Sequence, residues 1–204
     1  MLFPTTPILD TFNRSNEGPP PSASWTDSIF ISNSGLKVVS NTCVADSGIG
    51  SAWWSAEQFD RNCECYFTII NDVLPHNIYL RLQNPGVDDS QSGYIVQHDS
   101  SSEDPRHVFI LRLDSGVATV ISTIVAAVES DAGFGASAIE GLISAYRKPF
   151  GGEWELLGNV IDTTYSSGGY IGSSMSSGGG GIENFGGGDA LVSMKLATVL
   201  FAGN

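Results

Sequence analysis

Short runs of alternating polarity, broken every few residues by glycine, serine or asparagine, recur through this chain, and no segment sustains a 3.6-residue period with caps at both ends. That pattern admits strands and all but excludes helices. Residues 63–70 place Cys63, Cys65, Phe67 and Ile69 on one face. Ile78, Leu80 and Leu82 share a face opposite Tyr79 and Arg81. Residues 108–113 are apolar on both faces apart from Arg112, and 117–128 are rich in Val, Ile and Thr. Asn33-Ser34-Gly35 reads as a hairpin turn between strands at 29–32 and 36–40. Strands at 139–147 and 153–157 flank a longer turn at 148–152. Residues 130–137 read as a glycine-containing loop, 166–189 as a long mobile loop interrupted by a short strand at 169–173, and 190–201 as the closing strand. About eleven short strands without crossover helices imply antiparallel pairing, and hence an all-β sandwich or barrel.

A chain of 204 residues with 41% hydrophobic and only 15% charged residues can bury one large core without staples. Its formal net charge of −13 argues against nucleic-acid backbones and anionic membranes as partners. The opening Met-Leu-Phe-Pro lacks the basic region of a signal peptide, and no stretch approaches the ~20 apolar residues of a membrane span. Pro4, Pro7 and Pro19-Pro20-Pro21 forbid regular structure near the start. Residues 1–24 are therefore read as a Pro-rich arm, anchored by Phe12, ahead of a sandwich over 25–204. Its removal is expected to leave the sheets intact. Three cysteines do not make a disulfide framework. Cys63 and Cys65 share a strand face too far apart for a bridge, so they read, with Cys43, as small buried apolar groups, with a pairing of Cys43 to either left open.

Four segments then carry a resemblance. Asp10-Thr-Phe-Asn-Arg-Ser followed by Trp25, Gly141-Leu-Ile-Ser-Ala-Tyr-Arg followed by Trp154-Glu-Leu-Leu, Asp162 through Gly168-Gly-Tyr-Ile-Gly, and Ile182-Glu-Asn-Phe stand in an order that resembles laminin-G-like and other domains of the concanavalin A-like lectin/glucanase superfamily. The resemblance covers the chain from about Asp10 onward and implies an antiparallel jelly-roll β-sandwich. That superfamily holds lectins, carbohydrate-binding modules, glycoside hydrolases and virion proteins, and fold alone does not choose among them.

Residue chemistry narrows the choice. No Glu-x-Asp-x-Glu strand motif is present, the nearest acid pair being Glu153 and Glu155, and no Gly-x-Ser-x-Gly elbow occurs. His76, His98 and His107 lack metal-ligand spacing. The glycine run at 178–181 lacks the Gly-Lys-Ser/Thr ending of a phosphate loop. If a metal is bound, it is a structural calcium: Asp10, Asn184 and Asp189 near the chain ends are candidate ligands, beside acid-rich loops at Asp88-Asp89 and at Asp99, Glu103 and Asp104. Aromatic platforms for sugar rings are Trp53, Trp54, Tyr94, Trp154, Tyr165 and Tyr170. Adjacent Trp53 and Trp54 must face opposite sides of a strand. The expectation is a non-enzymatic virion or surface structural protein, a phage head-decoration or tail component made in the host cytoplasm. It would bind neighbouring capsid or tail subunits, form a homo-oligomer and recognise cell-surface glycans. The alternative is a carbohydrate-active module, a glycoside hydrolase or lyase, with an atypical site.

Overall fold

A computed structural model describes residues 2–30, 32–71, 75–87, 89–99, 105–178 and 180–191. Fifteen strands and no helix are present among them. In chain order they are β1 (Ile8–Asp10), β2 (Trp25–Asp27), β3 (Leu36–Val39), β4 (Thr42–Ala45), β5 (Ile49–Trp54), β6 (Cys63–Asn71), β7 (His76–Gln83), β8 (Ser92–Asp99), β9 (His107–Asp114), β10 (Val117–Val125), β11 (Gly133–Ile139), β12 (Leu142–Lys148), β13 (Glu155–Ile161), β14 (Tyr170–Ser176) and β15 (Gly181–Asp189). An eight-stranded sheet runs β13-β12-β11-β6-β15-β4-β3, with β1 also on β15, and a seven-stranded sheet runs β10-β9-β8-β7-β14-β5-β2. Every ladder is antiparallel.

The alternation read for residues 63–70 holds. Cys63, Cys65, Phe67 and Ile69 face Ile78, Leu80, Tyr94, Val96, Val108 and Ile110 across the sandwich, all buried. The three cysteines are buried and unbridged, and burial pushes each thiol well above its ordinary range.

Several local expectations are corrected. The hairpin near residue 35 turns at Ser40-Asn41 instead, joining β3 to β4 with both residues at positive φ, 52° and 66°. Of the strand read at 29–32, Ile29, Phe30 and Ser32 lie outside the named strands, and Ile31 lies outside the described residues. The supposed loop at 130–137 is largely β11, and the supposed mobile loop at 166–189 contains β14 and β15, both interior to their sheets. Glycine misled the reading there because its role in these strands is to admit rings. A Cβ on Gly135 would stand 2.5 Å from the Phe3 ring, and one on Gly186 would stand 2.3 Å from Tyr66. The count is thus fifteen strands against about eleven. Of the expected closing strand, Ala190 and Leu191 are not strand and the remainder lies outside the described residues.

The Pro-rich segment is laid against the sandwich and is not separate from it. Phe3 stacks on Tyr146 at 3.9 Å, Thr5 and Thr6 converge on the buried carboxylate of Glu64, and Ile8 and Asp10 pair with β15. Phe12 is fully buried beside Trp25. Its φ of 57° is the left-handed region, which lets the chain turn sharply from β1 into the core.

Candidate functional site

The ends of β7 and β14 meet where the alternation of β7 fails. Arg81 has φ of 50°, and the register with β8 slips between Leu80 and Gln83. This bulge re-aims two side chains. Leu82, expected beside Leu80, joins Tyr79 on the outer face of the seven-stranded sheet, in a small cluster with Ile29, Trp53, Ile95 and Leu113. Arg81, expected on the outer face, turns its guanidinium toward the Tyr94 ring, 6.0 Å from the centroid.

Arg81 is 1% exposed and has no carboxylate partner among the described residues. Its Nε donates to the carbonyl of Arg61 and its Nη1 to the carbonyl of Tyr165, each at 2.6 Å, while Nη2 has no hydrogen-bond partner. Burial lowers its pKa, and an arginine starting this high stays charged at neutral pH. One guanidinium thus ties the 59–62 loop to the 165–169 loop. Between the same loops Phe59 and Gly169 exchange backbone hydrogen bonds at 2.9 Å. A Cβ on Gly168 would stand 2.2 Å from the Phe59 carbonyl, so only glycine fits this approach.

These loops wall a continuous open groove. At one end Pro85 and Tyr170 offer apolar surface beside Gln58, Gln83 and Asn84, and Trp53, 9% exposed, and the fully buried Leu82 complete the lining. Gln58 and Gln83 carry it into a hollow of about 500 Å³ lined by Asp60, Gly168 and Asp189. It continues past Arg61 and Asn62 to Ala190. Its polar groups are held in place: Gln83 Nε2 donates to the Gly168 carbonyl, Asp189 Oδ1 accepts the Asp60 N–H at 2.6 Å, and Asn62 Oδ1 accepts the Glu140 N–H at 2.8 Å. Aromatic faces next to fixed amides and carboxylates can stack on an apolar ring face while bonding its hydroxyls.

The sequence candidates divide by position. Trp53 and Tyr170 line this groove, and so does Asp189. Trp54 points to the other side of β5 and, partly buried, packs edge-on against Trp25 at 5.5 Å, against the core. Tyr94 is fully buried and cannot serve as a platform. Its hydroxyl donates to Asp162 and accepts the Tyr165 N–H, and Tyr165 in turn donates to Asp114 at 2.7 Å. Both tyrosines therefore brace the 162–168 loop. Burial pushes the Tyr94 hydroxyl up to about 12. Asp162 sits below the usual carboxylate range: burial opposes this, but bonds from Thr164, Tyr94 and Arg112 outweigh it. Trp154 lies on the far side of the molecule, in a second groove with Tyr66, Lys148, Phe150 and Asn184.

Two of the calcium candidates, Asp10 and Asp189, do not converge. Asp10 is already bonded by Arg14 Nη1 at 2.6 Å, Arg14 Nη2 at 2.9 Å, Trp25 Nε1 at 3.0 Å and the Phe12 N–H at 2.8 Å. It pairs opposite Phe185, four residues from Asp189 along β15, a separation on the order of 13 Å. No group of three or more His, Cys, Asp and Glu residues could hold a metal among the described residues. Asp88, Glu103 and Asp104 lie outside those residues. Glu155 is paired with Arg147 at 3.1 Å, and Glu153 lies outside β13.

The groove's polar members, Gln58, Asp60, Asn62, Gln83 and Asn84, escaped the sequence reading. Their one signal is position, in Asp60-Arg-Asn and Asn84-Pro-Gly turns at strand ends, where loops carry functional groups.

No family model and no curated protein matches the chain. Solved structures do. The VIP36 exoplasmic/lumenal domain in its Ca2+/mannose-bound form superposes with a TM-score of 0.65, at 12% identity, over 94% of this chain and 92% of that one. The potassium-bound carbohydrate recognition domain of Emp46p gives 0.63 at 11% identity, over 91% and 97%. The carbohydrate-binding module CBM66 from Bacillus subtilis gives 0.56 at 17% identity, over 79% and 93%. The two antiparallel sheets of this chain form a jelly-roll sandwich, the fold it shares with these structures.

Proposed function

We propose that the chain is a non-enzymatic glycan-binding module, and that the groove from Trp53 and Tyr170 to Asp60 and Asp189 holds the sugar. One observation carries this reading. Two aromatic side chains stand beside Gln58, Gln83 and Asn84, on walls that Arg81 and the Phe59–Gly169 bridge hold together. The similar solved structures include lectin domains and a carbohydrate-binding module, one of them a mannose-bound form, which supports the same reading.

The setting extends the proposal. A lectin-like domain displayed on a virion as a head-decoration or tail component among capsid or tail subunits accounts for a module without a catalytic motif. A glycoside hydrolase or lyase with an atypical site would depend on Glu153 and Glu155. Glu155 is taken by Arg147, which favours the binding reading.

The test is a glycan array followed by calorimetry on the full chain. Tyr170→Ala and Gln83→Ala should each weaken a bound glycan about tenfold, from loss of ~1.5 kcal/mol of stacking or hydrogen bonding. Trp154→Ala should leave affinity unchanged. If Trp154→Ala abolishes binding while Tyr170→Ala does not, the site is misplaced. Hydrolysis of the bound glycan that is lost in Glu153→Gln or Glu155→Gln would replace binding with catalysis.

A further inference from the structure

The two sheets end together on one side of the sandwich. β10 is one edge strand of the seven-stranded sheet and β13 one edge strand of the eight-stranded sheet. They adjoin: the Ile124 side chain reaches Gly158, where an added Cβ would stand 2.9 Å from its Cδ1. This side is unusually bare of charge and rich in apolar surface. Val117 is 65% exposed, Val120 51% and Val125 68% on β10, and Leu156 is 54% and Ile161 77% exposed on β13.

Edge strands in soluble proteins protect themselves with charge, proline or very short length. β10 has nine residues, Val-Ala-Thr-Val-Ile-Ser-Thr-Ile-Val, without a charged group or a proline. Its one irregularity is a register shift between Val120 and Ser122. β13 carries a single acid, Glu155, already paired with Arg147. The chain as a whole bears a formal charge of −13, so two copies repel over most of their surfaces. This neutral strip is where they can approach.

We propose that the β10–β13 side is a two-fold interface with a second copy of this chain. A strand edge pairing antiparallel with itself satisfies its free backbone groups and is isologous, so it closes as a dimer. Its size fits. Nine residues span ~30 Å, and two sheets ~10 Å apart with their side chains give a face ~20 Å wide. That is roughly 600 Å² per copy and about 1,200 Å² in total, the lower end of specific interfaces. Burying five exposed Val, Leu and Ile side chains supplies the apolar centre such an interface needs. β10 is three strands from β7, so the dimer leaves the Trp53–Tyr170 groove open on each copy. The interface does not depend on what the groove binds.

The experiment is light scattering coupled to size exclusion on the full chain over a concentration series, with circular dichroism and melting alongside. The wild type should pass to twice the chain mass of 21.6 kDa as concentration rises. Val120→Lys should stay monomeric with unchanged circular dichroism. Deleting residues 192–204 should not alter the dimer. If Val120→Lys fails to fold, Thr119→Lys on the same exposed strand takes its place. A monomer at every concentration overturns the proposal, as does a dimer that survives the charged edge. Loss of the dimer on deleting 192–204, with Val120→Lys still dimeric, assigns association to that segment and overturns it too.

Discussion

Replacing Phe12 by alanine asks whether the N-terminal segment belongs to the sandwich. The ring is fully buried, 5.9 Å from Trp25, which itself stands 4.6 Å from Phe185 and 5.5 Å from Trp54. Truncation removes the transfer free energy of the ring and leaves a cavity that this rigid aromatic neighbourhood cannot close, about 3–5 kcal/mol. A domain holds a total of about 5–15 kcal/mol, so the variant should retain the fold with a large part of its margin lost. With a urea slope of about 3 kcal/mol per molar, the midpoint should fall by roughly 1–1.7 M. Phe12→Leu refills most of the space and should cost less than about 1.5 kcal/mol. Equilibrium urea unfolding, followed by both tryptophan fluorescence and far-UV circular dichroism, measures all three proteins. A midpoint shift below about 0.3 M for Phe12→Ala, on the same slope, would refute the reasoning and return residues 1–24 to the status of a detachable arm.

Arg81→Met keeps much of the volume but removes the tie between the Arg61 and Tyr165 carbonyls. It should weaken glycan binding more than tenfold, while the melting temperature moves by only a few degrees, because an unpaired buried charge is removed along with its bonds. An unchanged affinity would mean the loops hold their shape without it. Acid should destabilise the protein through Asp10. Burial pushes its carboxyl up, but bonds from Arg14, Phe12 and Trp25 outweigh this and hold it below its ordinary value. A carboxylate depressed on folding contributes stability that is full above the unfolded pKa of about 3.9 and lost as pH falls through the folded value. Stability should therefore be level from neutral pH to about 5 and fall below about 4. Asp10→Asn should cost about 2 kcal/mol at neutral pH and shallow the acid limb, and an acid limb as steep as the wild type's would remove Asp10 from that account.

Much of the architecture was legible in the residues. Period-two alternation at Cys63, Cys65, Phe67 and Ile69, and the absence of any capped helical period, determined an all-β chain, because a strand's two faces see different solvents and the side-chain types record it. The same residues could not reveal where alternation breaks. A bulge moves every later side chain to the other face at the cost of one residue, so the sequence put Leu82 inward and Arg81 outward, and the folded chain does the reverse. Glycine was misread for a related reason. At 133–135 and 186–188 it reads as loop, but it is interior strand, left without a side chain so that the rings of Phe3, Trp154 and Tyr66 can lie against the sheets. The candidate site followed suit. Aromatic type nominated Trp53 and Tyr170, yet also Tyr94 and Trp54, since a ring suited to stacking on sugar is equally suited to a core. Only tertiary structure separated them, because the groove is made by two loops more than a hundred residues apart, and what holds those loops together is one buried guanidinium bonded to the backbone of each. Backbone carbonyls are common to every residue, so no pattern of side chains along the chain could have announced that meeting.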